Sequence, residues 1–261
     1  MSANRGRGGS PCFSISQNFL TSAGTISRLL RLTSISKDDH VIEIGAGKGH
    51  ITRRLAHICR SLDAYEIDPK LYPALLALRE AAPNLTVKRP DFLTAALPPN
   101  GEYKVFGNIP FSRTSDIIRK LTNAKNPPAE VWLIMEHGAA KRFAGEPQAR
   151  RDTLGSLLIK PFFDCRIVCR VPRNEFHPAP FVDAALLRLV KKTPPDIPPP
   201  QKREFERFIK RGMRYGAGSQ LTKRQIGAAL RLAGLPDIRQ SARQSSLMRY
   251  VQWLCLFRYY L

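Results

Sequence analysis

The residues best suited to chemistry in this chain stand where short apolar runs stop. Val41-Ile-Glu-Ile44 leads straight into Gly45-Ala-Gly-Lys-Gly49. Glycines at a strand-to-helix turn let the backbone approach a ligand where a Cβ would clash. The spacing excludes two phosphate grips. The triphosphate loop G-x-x-x-x-G-K-[ST] is absent, and G-x-G-x-G is not the G-x-G-x-x-G that holds a dinucleotide pyrophosphate. Taken alone, such a turn is also compatible with binding nothing. The next run, Leu62-Asp-Ala-Tyr-Glu-Ile67, ends near Glu66, 21 positions after Gly45. A carboxylate there can accept both hydrogens of a ribose diol. The following run leads to Asp91 in Pro90-Asp-Phe-Leu93, placed to accept from an exocyclic adenine amine beside apolar Phe92. Carboxylates at successive strand ends beyond a glycine turn point to an adenosine-containing cofactor without a pyrophosphate. S-adenosylmethionine fits best, with Gly45, Gly47, Glu66, Ile67, Asp91 and Phe92 as its candidate contacts.

A fourth run, Lys104-Val-Phe-Gly-Asn-Ile-Pro-Phe111, carries the candidate reacting groups. An exocyclic amine is a poor nucleophile because its lone pair is delocalised into the ring. Two acceptors on its hydrogens, the Asn108 side-chain oxygen and the Ile109 carbonyl, would draw it towards a pyramidal, nucleophilic geometry. Pro110 gives up its own N–H and fixes the turn that aims those acceptors. Phe111 offers a face on which a base stacks, worth about 1–3 kcal/mol. Positive charge developing on the nitrogen would be met by prepositioned dipoles, and no general base is needed. Asn-Ile-Pro-Phe resembles the N-[LIP]-P-[YF] motif of amino-directed adenine methyltransferases.

The elements that must position these groups alternate. Strands are expected at Val41–Ile44, Leu62–Ile67, Leu85–Lys88, Lys104–Phe106, Glu130–Met135, Cys165–Val171 and Ala185–Val190. Helices are expected at His50–Cys59, Leu71–Ala81, Asp116–Thr122 and Thr153–Lys160. This alternation predicts an α/β, Rossmann-like, mostly parallel sheet covered on both faces, with the last two strands antiparallel. Ligands of such a sheet bind at the carboxyl ends of its strands. Thr193-Pro-Pro-Asp-Ile-Pro-Pro-Pro200 reads as a stiff, extended linker. Helical patterns follow at Lys202–Arg214, Thr222–Ala233 and Ser241 to about Phe257. The expected division is a catalytic domain over 1–192, whose residues 1–12 form a basic flexible arm, a linker over 193–200, and a helical RNA-binding domain over 201–261.

The charge balance speaks to partners. Lys and Arg number 42 against 21 Asp and Glu, a formal charge of +21, and an excess of this size attracts polyanions, nucleic acid first. From Lys191 onward 15 residues are basic and 4 acidic, so the tail carries about half the excess and reads as an RNA or DNA contact. The apolar runs, such as Val131–Met135, are far too short to span a bilayer. Met1–Phe13 is polar and lacks the apolar stretch of a signal peptide, so a cytoplasmic location is expected. The five cysteines form no C-x-x-C pair, and the five histidines do not cluster with them. No metal is expected, and Cys165 and Cys169 are expected to share one strand face as buried thiols.

The chain resembles the Erm family of ribosomal RNA adenine N6-dimethyltransferases, which confer macrolide–lincosamide–streptogramin B resistance. The resemblance rests on Ser16-Gln-Asn-Phe-Leu20, Glu43-Ile-Gly-Ala-Gly-Lys-Gly-His50, Asn108-Ile-Pro-Phe111, Thr114-Ser-Asp-Ile-Ile-Arg-Lys120 and Phe176-His-Pro-Ala-Pro-Phe-Val182. It spans residues 10–190 strongly, while the tail matches in size and character. It implies cofactor contacts at Asn18, Leu20, Gly45, Glu66, Asp91 and Asn108. It also implies that Phe176 closes on the target adenine opposite Phe111. The implied partner is 23S rRNA in protein-poor or assembling large subunits, met by a monomer. Small-subunit rRNA adenine dimethyltransferases share the pocket. Lys48-Gly-His50 and Glu136-His-Gly-Ala-Ala-Lys-Arg142 side with Erm. Phe111 stands where many members have Tyr, and Ala46 where many have Pro or Ser. A non-catalytic RNA or DNA binder of this fold is the remaining alternative, and intact Glu66, Asp91 and Asn108 argue against it. DNA adenine methyltransferases usually carry an Asp-Pro-Pro-Tyr type motif instead.

Overall fold

The computed structural model describes residues 18–149, 151–235 and 248–261. The N-terminal arm, Cys12, Ser16, Gln17 and the start of the last expected helix (241–247) lie outside them. In chain order the elements are β1 (Phe19–Leu20), α1 (Ala23–Arg31), β2 (His40–Ile44), α2 (His50–Ile58), β3 (Ser61–Tyr65), α3 (Tyr72–Ala81) and β4 (Leu85–Lys88). Then come β5 (Lys104–Asn108), α4 (Thr114–Thr122), β6 (Glu130–Glu136), α5 (His137–Ala144), α6 (Leu154–Ile159), β7 (Phe163–Val171), β8 (Phe176–His177) and β9 (Ala184–Lys191). The tail holds α7 (Lys202–Tyr215), α8 (Lys223–Leu232) and α9 (Tyr250–Tyr260). Local chemistry sets several boundaries. The Ser22 hydroxyl accepts from the Thr25 N–H to open α1, and Thr153 with Ser156 and Thr222 with Gln225 form reciprocal capping boxes on α6 and α8.

Seven strands form one sheet in the order β4-β3-β2-β5-β6-β9-β7, and β1 pairs separately with β8. The pairs from β4 across to β6 are parallel; β9 is antiparallel to both β6 and β7. The fold is therefore the α/β, Rossmann-like one that the alternation predicts. Its strand order reverses between β2 and β5. There the chain leaves the two strands in opposite directions around the sheet and a crevice opens at their carboxyl ends.

Each face of the sheet buries its own apolar layer. One joins Val41, Phe106 and Trp132 to Leu29 of α1, Leu55 of α2 and Leu75 of α3. The other joins Ile42, Val105 and Leu133 to Ile117 of α4, Ala140 of α5 and Ile159 of α6. Strand alternation sorts neighbours such as Val41 and Ile42 between them. The cysteines of β7 depart from the sequence expectation. A bulge between Ile167 and Cys169 shifts the register by one, so Cys165 packs on the second layer and Cys169 on the first. Both are half-buried; of the described cysteines Cys59 is the one fully buried.

The tail has its own core of Phe205, Phe208, Ile209, Trp253, Leu256 and Phe257, with Leu157 of α6 joining it. The proline-rich stretch is not the extended linker expected: it bends at 193–194 and 196–197, enters a 3-10 turn at Pro199–Gln201, and is docked. Ile197 is 1% exposed within the tail core, the Asp196 N–H donates to the Pro161 carbonyl, and the Tyr250 hydroxyl donates to Asp196 at 2.6 Å. Among the described residues no helix is long and apolar enough to cross a membrane.

Candidate functional site

At the carboxyl ends of β2, β3, β4 and β5 lies a cavity of about 550 Å³. Its wall includes Asn18, Gly45, Gly47, Glu66, Ile67, Asp91, Phe92, Asn108, Ile109, Pro110, Phe111 and Phe176. The structure thus gathers the sequence candidates around one space, with Leu20 as the exception. Leu20 is buried in the core, with its backbone paired to Phe176. Side chains alternate along a strand, so Phe19 faces the glycine turn and Leu20 turns inward.

The glycine turn hooks over the end of β3: the N–H groups of Gly45 and Ala46 both donate to the Tyr65 carbonyl, at 2.9 and 3.0 Å. Gly45 and Gly47 have φ of 74° and 57°, a region that favours glycine. A Cβ on Gly47 would stand 2.9 Å from the Phe19 ring, and one on Gly45 3.3 Å from the Asn108 carbonyl. Glycine at these positions therefore lets the Phe19 ring and the end of β5 pack directly on the turn that floors the cavity. Glu66 is buried, and its two carboxylate oxygens accept from the Gly47 N–H at 2.7 Å and the Asp68 N–H at 2.8 Å. Each oxygen has a second lone pair, so the held carboxylate still has acceptor capacity for a diol. The Asp91 carboxylate accepts from the Leu93 N–H at 2.9 Å, and its other oxygen stands 3.8 Å from the Arg113 guanidinium. Phe92 meets Tyr65 edge-on at 5.5 Å between ring centroids, which gives this part of the wall two rings. Burial pushes the Tyr65 hydroxyl above its ordinary pKa.

Asn108 ends β5. Its side-chain nitrogen donates to the Asn18 carbonyl at 2.8 Å. That bond fixes the amide orientation and leaves Oδ1 as the acceptor for the cavity. The Ile109 N–H donates to the Ile134 carbonyl at 3.1 Å, and Pro110 follows with φ of −59° before a 3-10 turn at Phe111–Arg113. Phe111 is half-buried and Phe176 buried, both against the first apolar layer. Phe176 is thus both core and cavity wall. Its preceding residue, Glu175, accepts from the Thr25 hydroxyl at 2.6 Å, which ties β8 to α1.

Glu43 was legible only as part of the glycine motif. It is 1% exposed, and burial, with the charge of Glu66 adding to it, pushes its carboxyl up to about 8; the Thr52 hydroxyl pulls the other way. Its Oε2 is buried without a hydrogen-bond partner. Tyr65 and Arg113 also line the cavity and went unread in the sequence. Tyr65 precedes Glu66, and Arg113 lies two positions beyond Phe111, spacings that could have flagged both. A larger cleft of about 820 Å³ lies at the opposite end of the sheet. Most of its charges already have ionic partners: Lys160 with Asp152, Lys192 with Asp164 and Asp196, Arg188 with Glu130 and Arg249 with Glu146. Chemistry is therefore placed at the smaller cavity. Among the described residues no three His, Cys, Asp or Glu side chains are grouped to hold a metal ion.

A doubly wound sheet with this crevice at its switch point is the frame of a Rossmann-like methyltransferase. Residues 12–228 match the family described as Ribosomal RNA adenine dimethylase; the chain belongs to that family, and its activity is that of an rRNA adenine N6-methyltransferase. It is similar to the rRNA adenine N-6-methyltransferase of Limosilactobacillus reuteri, 33% identical over 245 residues that cover 94% of this chain and 95% of that one. It is also similar to the Ribosomal RNA small subunit methyltransferase A of Prosthecochloris aestuarii, 36% identical over 200 residues, 75% of this chain and 74% of the other. Among solved structures the 23S rRNA methyltransferase ErmE superposes with a TM-score of 0.78 at 29% identity, covering 93% of this chain and 99% of ErmE. A dimethyladenosine transferase from Plasmodium falciparum gives 0.71 at 19% identity over 91% and 95% of the two chains, a likeness of fold.

Proposed function

We propose that the chain transfers methyl groups from S-adenosylmethionine to N6 of one adenine in the peptidyl-transferase region of 23S rRNA, acting in the cytoplasm on protein-poor or assembling large subunits. The modified ribosome then resists macrolides, lincosamides and streptogramin B. Convergence of Glu66, Asp91 and Asn108 on one cavity carries this reading. The cofactor fits the residues present. The bare backbone of Gly45 and Gly47 forms part of the cavity wall, Glu66 offers a held pair of acceptors to a ribose, and Asp91 with Phe92 offers an acceptor and a ring to an adenine.

When bound, S-adenosylmethionine supplies an electrophilic methyl group on a positively charged sulfur. The chain's residues prepare the acceptor. Asn108 Oδ1, with its amide pinned to Asn18, and the Ile109 carbonyl accept the two hydrogens of the adenine amine and raise its nucleophilicity. Phe111 and Phe176 hold the base between them once it has left its stack. The fixed carbonyl dipoles meet positive charge as it develops on nitrogen, and the amine proton is lost to water. Residues 201–261, basic and with a core of their own in the described part, serve as the RNA-binding domain beside a catalytic domain over 1–192.

The relative from Prosthecochloris aestuarii favours a second reading, dimethylation of small-subunit rRNA in ribosome biogenesis. Primer extension on both rRNAs from cells with and without the protein separates the two. The first reading expects a new stop at an adenine of the large subunit together with joint tolerance of macrolides and lincosamides. A stop confined to the small subunit, with unchanged drug sensitivity, would transfer the assignment to the second.

A further inference from the structure

Among the described residues several aromatic side chains are exposed away from the cavity, Tyr215, Tyr259 and Tyr260 in the tail and Phe181 in the loop between β8 and β9, and Phe181 is the most exposed of them. Phe181 is 98% exposed and so forgoes the burial that a ring of its size ordinarily gains. Its loop is held firmly. Asp183 accepts from the Arg173 N–H at 2.9 Å and from Arg170 Nε at 2.5 Å, and its carbonyl accepts from the His137 N–H at 3.0 Å. The Phe181 carbonyl accepts from the Arg173 guanidinium at 3.3 Å. Pro178 and Pro180 further restrict the backbone on the N-terminal side. The ring is thus presented to solvent by a braced loop.

Its place is the rim of the cavity. The loop runs from Phe176, a wall residue, to Ala184, which pairs with Glu136 at the carboxyl end of β6. Exposed cations lie on this loop's own neighbours. Arg173 is bonded to the Phe181 carbonyl, Arg113 is 48% exposed on the cavity wall, and Lys141 and Arg142 lie on α5, which begins beside Glu136, while Arg170 is paired with Asp183. With exposed Pro178, Ala179 and Val182 the ring forms a small apolar loop tip, narrower than a protein-docking surface needs. A ring beside cations is the combination that binds single-stranded nucleic acid, phosphates to the cations and a base to the ring.

We propose that Phe181 is a stacking platform for an unpaired RNA base next to the target adenine, and so determines which irregular RNA elements are captured. The inference rests on the methyltransferase reading above. Phe111 and Phe176 face the cavity and take the flipped adenine. Phe181 is exposed and not part of the wall, and takes a neighbour left unstacked when the adenine departs.

The test compares wild type, Phe181→Ala and Phe181→Trp by fluorescence anisotropy. One probe is a transcript of the peptidyl-transferase region, a second the same transcript with abasic nucleotides flanking the adenine, and a third a plain single-stranded adenosine oligonucleotide. Phe181→Ala is expected to weaken binding to the first and third between about fivefold and a hundredfold. The dependence of Kd on salt should keep its slope, because no phosphate contact is lost. Phe181→Trp should bind like wild type, and the abasic transcript should bind wild type and Phe181→Ala alike. In turnover the loss should fall on KM and spare kcat. Equal affinity of Phe181→Ala and wild type for the first and third probes overturns the proposal. So does a loss seen only in flotation on anionic phospholipid vesicles. Methyl label confined to small-subunit rRNA would overturn the 23S assignment while the oligonucleotide still reads Phe181.

Discussion

Replacing Glu66 by Gln keeps the side chain's shape and removes one acceptor. In the structure the carboxylate oxygens accept from two backbone donors, Gly47 N–H at 2.7 Å and Asp68 N–H at 2.8 Å. Whichever way a glutamine amide turns, its NH₂ faces one of those donors. The folded protein therefore loses one hydrogen bond to a charged group, about 1.5–3 kcal/mol. For a chain of this size each 1 kcal/mol lowers Tm by about 2–4 °C. The bound cofactor loses an acceptor for one ribose hydroxyl as well, which weakens affinity by about tenfold to a hundredfold. Two assays separate these effects: scanning calorimetry of the free protein, and titration calorimetry with S-adenosylhomocysteine well below Tm. The expected result is a fall in both. A lower Tm with wild-type affinity would show that Glu66 only holds the glycine turn, and the ribose assignment would be refuted.

Gly47→Ala puts a Cβ against the Phe19 ring at a φ of 57°. It should cost about 1–2 kcal/mol from the left-handed backbone alone, read as a lower Tm with weaker S-adenosylhomocysteine binding. Glu43 binds its proton more tightly when folded, so stability should fall as pH rises from about 4.5 to about 8 and level off above, by at most about 1.4 kcal/mol per pH unit. Glu43→Gln should flatten that fall in urea titrations and gain most over wild type near pH 8; parallel pH profiles would refute the buried-acid account.

Much of the fold was legible because the alternation of strand and helix is a signal carried by many residues at once. Leu85–Lys88 matches β4 to the residue, and the carboxyl-end rule led to the cavity that the structure contains. Two helices went unread although their apolar spacing is helical, α1 (Ala23–Arg31), which buries Ile26, Leu29 and Leu30, and α5 (His137–Ala144), which buries Ala140 and Ala144; the other features that escaped lack periodicity. The β1–β8 ribbon pairs two residues with two, too short for any pattern, yet it brings Asn18 to Asn108 and Phe176 to the wall. β3 stops at Tyr65 instead of Ile67 because Glu66 turns its carboxylate back to the Gly47 and Asp68 N–H groups. The bulge that parts Cys165 from Cys169 is set by pairing with β9, a long-range fact that spacing cannot show. Composition marked Thr193–Pro200 as a linker, but one apolar residue among the prolines, Ile197, docks it. Leu20 sits beside a contact residue in sequence, and strand alternation turns it away from the cavity.

The most direct measurement is transfer of labelled methyl groups to a 23S rRNA transcript by wild type and Asn108→Ala, with nucleosides identified by mass spectrometry. Wild type should yield N6-methylated and N6,N6-dimethylated adenosine. Asn108→Ala should bind the transcript nearly as well and, at saturating S-adenosylmethionine, transfer on the order of 10²–10³ more slowly, because it lacks the side-chain acceptor on the reacting amine. Transfer by Asn108→Ala at the wild-type rate, or wild-type label on any atom other than adenine N6, would contradict the account.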